Sequence, residues 1–281
     1  MAQQYIKLVI ELADDYQEQL IADLFDYDFD GFEQHDDHIV AYIVKNRFSD
    51  VSREDLEEIL NAYPVDSFVR TEEIVEEQNW NEEWEASIQP LRVGDFFIKP
   101  TWSTQTVPED AILLEIDPKM AFGTGYHETT RLMLRQLQHL DVTGKTILDA
   151  GTGTGILAIA AIKKGAQQAI GFDVDSWSYQ NALENAYINE VAEHVTFIEG
   201  SVEVIPDEPA TYDLVMANIN RNVLVAIMVD LTHRVAEDGV LILSGLLASD
   251  EVIIRNLEIL ADWEMASRDQ EGEWICLRFI R

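Results

Sequence analysis

Asp149, Gly151, Gly153 and Gly155 fall at every second residue of the run Ile147 to Ile159, ILDAGTGTGILAI. Ile147 and Leu148 read as the end of a buried strand that Asp149 closes, and Ile156 to Ile162 is an alanine-rich apolar run at helical spacing. The unit is strand, glycine turn, helix. Glycine is needed where φ is positive or where a ligand presses on the backbone. A dinucleotide-binding turn reads G-x-G-x-x-G and sets a pyrophosphate on the helix N-terminus. Here the third glycine comes one residue early, at Gly155, and Ile156 stands where that fingerprint has glycine. The next apolar strand, Ala169 to Asp173, ends in an acid 22 positions after Gly151. An acid at that strand end of a doubly wound sheet can accept from ribose hydroxyls, which is the role expected of Asp173. Asp175 reads instead as the cap of the helix Ser176 to Ile188.

The D-x-G-x-G-x-G pattern resembles motif I of the class I S-adenosylmethionine (SAM) methyltransferases. Two further stretches bear on that chemistry. Ala121 to Thr130, AFGTGYHETT, is glycine-rich and feeds an amphipathic helix, so it offers backbone N–H groups to an anion or carboxylate. About 20 residues before the glycine turn, it is placed to close over the methionine end of SAM. Within it, His127 reads either as a base or as a loop histidine making structural hydrogen bonds. Asn218 follows the fourth strand of the expected sheet. Its amide oxygen can accept from an amine nucleophile, or its side chain can cap the next helix. Methyltransferases of nucleobase and amide nitrogens commonly carry Asn or Asp followed by Pro-Pro-aromatic at this point, and Ile219-Asn220 does not continue that tetrad.

Elements on both sides must position these groups. Residues 3–12 read as a strand, 15–25 as a helix, and Gly31 to Asp36 with His38 to Lys45 as a hairpin turning at Asp36-Asp37. Ser52 opens a second helix in a capping-box variant, and Asp66 to Thr71 forms a fourth strand. The order βαββαβ predicts a small ferredoxin-like domain. His35 and His38 flank the hairpin turn without a further ligand nearby, so no metal is assigned to them. Glu72 to Ser87 is acidic and helical in pattern, with Trp80 and Trp84 one turn apart on a packing face. Extended runs follow at Phe96 to Lys99 and Ala111 to Ile116. Beyond the glycine turn the chain alternates as α/β proteins do, with strands at 195–198, Tyr212 to Met216, Gly239 to Ser244 and Trp274 to Ile280. Helices are expected at Asn222 to Ala236 and Asp250 to Leu260.

Nineteen basic against 53 acidic residues leave a net charge of −34. Such a surface repels nucleic acid and anionic membranes and attracts basic partners, although solubility alone also rewards it. Residues 1–90 hold 24 acids against 5 basic residues, a net of −19, so the shorter segment carries the denser charge. An apolar fraction of 47% supports a real core. No apolar run approaches a membrane span, and the start lacks the basic region of a signal peptide. The single cysteine, Cys276, excludes an internal disulfide and suits a reducing cytoplasm.

Taken together, these stretches resemble the ribosomal protein L-eleven methyltransferases of bacteria over essentially the whole chain. The family pattern F-G-T-G-x-H-x-T-T is matched by Phe122 to Thr130. The glycine motif, Asp173, the A-N-I at 217–219, the L-S-G at 243–245 and the tryptophan pair also fit; Thr101 stands where serine is usual. The resemblance implies an α/β fold: a class I SAM-methyltransferase doubly wound sheet with a small N-terminal α+β ferredoxin-like domain. It implies a substrate-recognition domain at 1–71, a linker helix at 72–89 and a methyltransferase domain at 90–281. It implies an enzyme that methylates the α-amine and lysines of a basic large-subunit ribosomal protein; the charge and the single cysteine add the expectation of a cytoplasmic protein with no direct nucleic-acid or membrane binding. By motif matching, cofactor contacts are expected at Phe122, Gly123, Thr124, Thr130, Asp149, Gly151, Gly153, Gly155, Asp173 and Asn218, with Asn218 also orienting the amine. Gly200-Ser201 occupies the place where the wider fold often has an adenine-binding acid, so none is assigned. The alternatives are an N-methyltransferase of a nucleobase or glutamine amide, and a non-catalytic SAM-binding, ribosome-associated protein.

Overall fold

Alternating apolar residues open the chain, and they build an antiparallel sheet. The first elements are β1 (Gln4–Glu11), α1 (Gln17–Phe25), β2 (Gly31–Gln34), β3 (His38–Val44), α2 (Arg53–Asn61) and β4 (Phe68–Glu76). Their strands lie in the order β2-β3-β1-β4, the ferredoxin-like arrangement. Ile6, Leu8 and Ile10 point from β1 to one face, where Leu20, Leu24, Leu56 and Leu60 of the two helices cover them. The computed structural model describes residues 4–13, 16–25, 27, 29, 31–35, 37–48, 53–65, 67–76, 88–117, 123–206 and 211–281. They fall into two compact units, Met1–Trp80 and Asn81–Arg281.

One expectation is corrected within the first unit. Glu72 to Glu76 belong to β4 and not to a connecting helix. Ile74 lies opposite Ile6 and Val75 opposite Tyr5, so β-branched residues paired on β1 outweigh the helical look of the acidic run. Ser52, Asp36, Asp66, Trp80 and Trp84 lie outside the described residues, as do 77–87 of the proposed linker.

The second unit begins with a small sheet of β5 (Leu91–Val93), β6 (Phe96–Lys99) and β7 (Ile112–Glu115). There follow α3 (Glu128–Gln138), β8 (Thr146–Ala150), α4 (Ile156–Lys163), β9 (Gln168–Asp173), α5 (Ser176–Ile188), β10 (Val195–Glu199), β11 (Tyr212–Asn218), α6 (Arg221–Arg234), β12 (Val235–Leu247), α7 (Glu251–Arg255), β13 (Glu264–Glu271) and β14 (Trp274–Ile280). The large sheet runs β10-β9-β8-β11-β12-β14-β13. The first five strands are parallel, and β14 joins β12 and β13 antiparallel. Successive residues of β8 serve opposite faces. Ile147 packs with α3, α4 and α5, while Leu148 packs with α6 and α7. Helix α4 is buried from Ile156 to Ile162, which explains why its sequence is apolar all round.

Three sequence expectations change here. The helix expected at 250–260 is the short α7 between two 3-10 turns. Helix α6 ends at Arg234, and β12 starts at once with Val235. Strand β13 was not foreseen: EMASRDQE has no apolar alternation because it lies at the sheet edge and is nowhere fully buried.

Asparagines at 181, 185 and 189 form a buried ladder along α5, one turn apart. Asn189 accepts from the Glu115 amide at 3.0 Å and donates to its carbonyl at 2.6 Å. Asn185 accepts from the Asp117 amide at 3.0 Å and donates to the Thr154 carbonyl at 3.0 Å. Asn181 donates to the Asp117 carbonyl at 2.9 Å. The helix thus fastens the end of β7 and the glycine turn to one frame, and each buried amide is hydrogen-bonded.

Candidate functional site

Strand order reverses between β8 and β11: the chain leaves β8 for β9 and β10, then returns to β11 on the other side. Ligands of open α/β sheets bind at such a switch point, outside the carboxyl ends of the strands. A cavity of about 380 Å³ lies there. Gly151 and Gly153 after β8, Asp173 ending β9 and Asn218 ending β11 all line it. These four are the expected site residues that the fold brings together around one space.

The others sit around them. Phe122 lies outside the described residues. Thr130 is fully buried behind Asn218, whose Nδ2 donates to its Oγ1 at 3.4 Å. The Gly123 carbonyl accepts from the Thr154 hydroxyl at 2.6 Å, which ties the 123–127 loop to the glycine turn. The Thr124 hydroxyl accepts from the Tyr126 amide at 3.3 Å. Asp149 is fully buried beneath the turn and does not line the cavity. The Thr152 hydroxyl donates to its Oδ2 at 2.7 Å. Desolvation pushes its carboxyl up to about 6, and the nearby Asp173 charge adds to the rise. Gly155 starts α4 in the left-handed region, with φ +80°. A Cβ there would lie 2.8 Å from Phe197, so packing requires this glycine, and it is not among the residues that line the cavity.

Asp173 is held rigidly at the rim. Its Oδ2 accepts from the Gly153 amide at 2.9 Å and its Oδ1 from the Asp175 amide at 3.0 Å. Each carboxylate oxygen keeps a lone pair for a further donor. Asp175 caps α5, accepting from the Ser178 amide and hydroxyl, and these bonds hold its carboxyl below the usual range.

At Asn218 the structure separates the two roles that the sequence left open. The cap of α6 is Asn220, which accepts from the Val223 amide at 3.1 Å. Asn218 is 8% exposed, and its buried Oδ1 has no hydrogen-bond partner among the described residues. A buried orphan amide oxygen costs about 1–3 kcal/mol, and on a residue that lines the cavity it fits the place of an acceptor for a ligand's N–H. His127 caps α3: its Nδ1 accepts from the Thr129 amide. Its ring meets Trp274 edge-on at 4.9 Å.

Several lining residues carried no local signal. Trp274 arrives from the last strand, 56 positions after Asn218, and Val223 and Ile227 belong to the wall given by α6. Ser201 lines the cavity at the place where no acid was assigned. Gly245 was noted only as part of L-S-G. It has φ +77°, and a Cβ would lie 2.4 Å from the Ile219 carbonyl oxygen, so only glycine lets β12 pass the backbone just after Asn218. Arg131 binds Glu271 at 2.9 Å and also the Tyr126 carbonyl, so the 123–127 loop is braced to the β13–β14 hairpin that carries Trp274.

A carboxylate for vicinal hydroxyls, a glycine-lined floor, apolar walls and an orphan acceptor for an N–H fit SAM with an amine beside it. Comparisons agree with that chemistry. The family model described as ribosomal protein L11 methyltransferase (PrmA) matches residues 7–281. The ribosomal protein L11 methyltransferase of Chlorobaculum parvum is 37% identical over 274 residues, covering 96% of this chain and 94% of that protein. That of Nitratiruptor sp. is 33% identical over 287 residues, covering 99% and 96%. The crystal structure of ribosomal protein L11 methylase from Lactobacillus delbrueckii subsp. bulgaricus matches with a TM-score of 0.63 at 31% identity, covering 69% of this chain and 99% of that one.

Proposed function

This chain belongs to the ribosomal protein L11 methyltransferase family and is a SAM-dependent methyltransferase, and we propose that it methylates the α-amine and lysine side chains of ribosomal protein L11. The observation that carries the amine chemistry is the buried, unpartnered Oδ1 of Asn218 at the cavity wall. When bound, SAM supplies an electrophilic methyl group on a sulfonium. The protein's residues supply positioning. Asp173 takes the ribose hydroxyls, and Gly151 and Gly153 let the cofactor approach the backbone. Asn218 accepts from the amine N–H and aims its lone pair. Alignment of this kind supplies much of a transfer rate without a strong base.

The amine must arrive neutral. An α-amine has a reference pKa of about 7.7–8.0 and a lysine about 10.4, so the α-amine is the readier acceptor near neutrality. His127 is engaged as a helix cap, which supports proton release to solvent and not to that ring.

The division of labour follows charge. Residues 1–76, ending with β4, recognise the protein substrate, and 90–281 carry the chemistry. The dense negative charge of residues 1–90 steers a basic ribosomal protein in. Among the described residues no helix is long and apolar enough to cross a membrane, and a cytoplasmic setting suits the substrate. The test is incubation of the full chain with labelled SAM and purified ribosomal protein L11, with mass spectrometry locating the methyl groups. Label on the α-amine and lysines is expected, with an association rate that falls as salt rises. Label confined to nucleic acid, or none, would sink the reading.

A further inference from the structure

Trp274 and His127 both line the cavity, and their rings meet edge-on, although they come from elements far apart in the chain. We propose that Glu271 is a positioning residue for methyl transfer, fixing the part of the cavity wall that these two rings form. The inference rests on the function proposed above and names what holds that wall in place.

The hairpin that carries Trp274 transmits any restraint on Glu271. The two residues are paired across β13 and β14, so Gly272 and Glu273 alone make the turn. Gly272 has φ +58°, the left-handed first position that a two-residue hairpin turn of type II′ requires. Directly opposed residues of an antiparallel pair share one face and lie side by side. A bond that fixes Glu271 therefore fixes the base of Trp274. The Glu273 carbonyl accepts from the Ala248 amide at 2.8 Å, which anchors the turn from its other side.

Glu271 reaches α3 with both carboxylate oxygens. Oε1 accepts from Arg131 Nε at 2.9 Å, and Oε2 accepts from Arg135 at 2.5 Å. Such charge-assisted bonds are the stronger kind, and the Arg131 side chain is only 17% exposed. Arg131 donates as well to the carbonyl of Tyr126, the residue before His127. It thus ties the loop and the hairpin to each other, whereas the bond from Arg135 ties only the hairpin to α3. Closer to the start of β13, Gln136 donates to Asp269 and accepts from Ser267 at 2.9 Å. Those bonds keep the strand on α3 without Glu271, which leaves the tip of the hairpin to that carboxylate. Thr130, next to Arg131, holds Asn218. One turn of α3 thereby sets both the proposed amine acceptor and the Trp274 wall.

The test uses the full chain with SAM and ribosomal protein L11. Glu271→Ala and Arg131→Met should each lower kcat about tenfold, the effect of a displaced wall on alignment. SAM affinity should stay within about twofold of wild type. The double variant should be no slower than either single one, since both cut the same link. Arg135→Met breaks an ion pair with the same carboxylate but leaves the loop tied, so its kcat should stay within about twofold. Proton NMR supplies a signature apart from activity. The indole of Trp274 displaces the ring-proton signals of His127, assigned by their loss in His127→Asn. These signals should move in Glu271→Ala and Arg131→Met and stay in place in Arg135→Met. If Glu271→Ala does not fold, Glu271→Gln, which keeps an acceptor for one arginine, should show a loss of about threefold in its place. An unchanged kcat in the Glu271 variant overturns the proposal while leaving the enzymatic function intact. Equal losses in Arg131→Met and Arg135→Met with the His127 signals unmoved also overturn it, since the ion pairs would then serve stability alone. A wild-type chain that does not methylate ribosomal protein L11 overturns the functional reading, and the role of Glu271 falls with it.

Discussion

The Asn218 amide donates through Nδ2 to the Thr130 hydroxyl at 3.4 Å, across 88 positions of sequence, and both residues are buried. This bond fixes the other end of the amide, Oδ1, as an acceptor with no partner among the described residues. Thr130 thus positions the group proposed to orient the amine.

Thr130→Val keeps the shape and removes the acceptor. We expect kcat to fall about tenfold, the cost of roughly one lost hydrogen bond, with SAM affinity little changed. Steady-state kinetics beside calorimetric titration separate the outcomes. A large loss of SAM affinity with normal kcat would make Thr130 a cofactor contact instead.

Asn218→Ala should cut kcat more than it weakens protein-substrate binding, because orientation matters most near the transition state. It should leave stability equal or higher, since it deletes a buried oxygen that no protein group satisfies. Asn220→Ala should do the opposite, costing about 1 kcal/mol of stability through the lost helix cap. Chemical unfolding of the two variants checks the pair, and a destabilised Asn218→Ala would contradict it.

Asp173→Ala should weaken SAM binding by about 1–3 kcal/mol while the fold survives. Isothermal titration reads this directly. Unchanged affinity would remove Asp173 from the site, leaving it only the Gly153 and Asp175 amides.

Asp149 makes stability depend on pH in an uncommon direction. Its carboxyl sits at about 6 in the folded protein against 3.8 ordinarily, because burial disfavours the charge. Below the ordinary value both states hold the proton. Between the two values only the folded state does, so stability falls as pH rises through this window. By pH 7 the cost is roughly 3 kcal/mol. Asp149→Asn should remove it. The variant's stability relative to wild type should therefore climb between about pH 4 and pH 6 and level off above that, and denaturant melts showing a constant difference would refute the assignment.

The legible parts of this chain were local. The glycine turn, Asp173 and the helix from Ser176 to Ile188 were readable because turn, strand end and cap are decided within a few residues. The path of Glu72 to Glu76 was not, since its strand exists only by pairing with β1. β13 was invisible for the same reason, being a polar edge paired to β14. At the site, the residues lining the cavity from Gly151 and Asp173 stood in motifs. Trp274 reaches it through sheet order alone, and that Asn218 is not the helix cap became readable only once Asn220 was seen to hold that place.

The asparagine ladder on α5 has a consequence for how the molecule breathes. The Glu115 and Asp117 amides bond to side chains of that helix, and Asn185 also holds the Thr154 carbonyl of the glycine turn. Neither amide can exchange its hydrogen for deuterium through these bonds unless α5 moves away. Their exchange therefore reports on a helix more than 60 residues distant in sequence, whose first turn adjoins the proposed ribose-binding acid. A cofactor that tightens Asp173 against that turn should slow exchange at Glu115 and Asp117, so that occupancy of the cavity is written as protection at the end of β7.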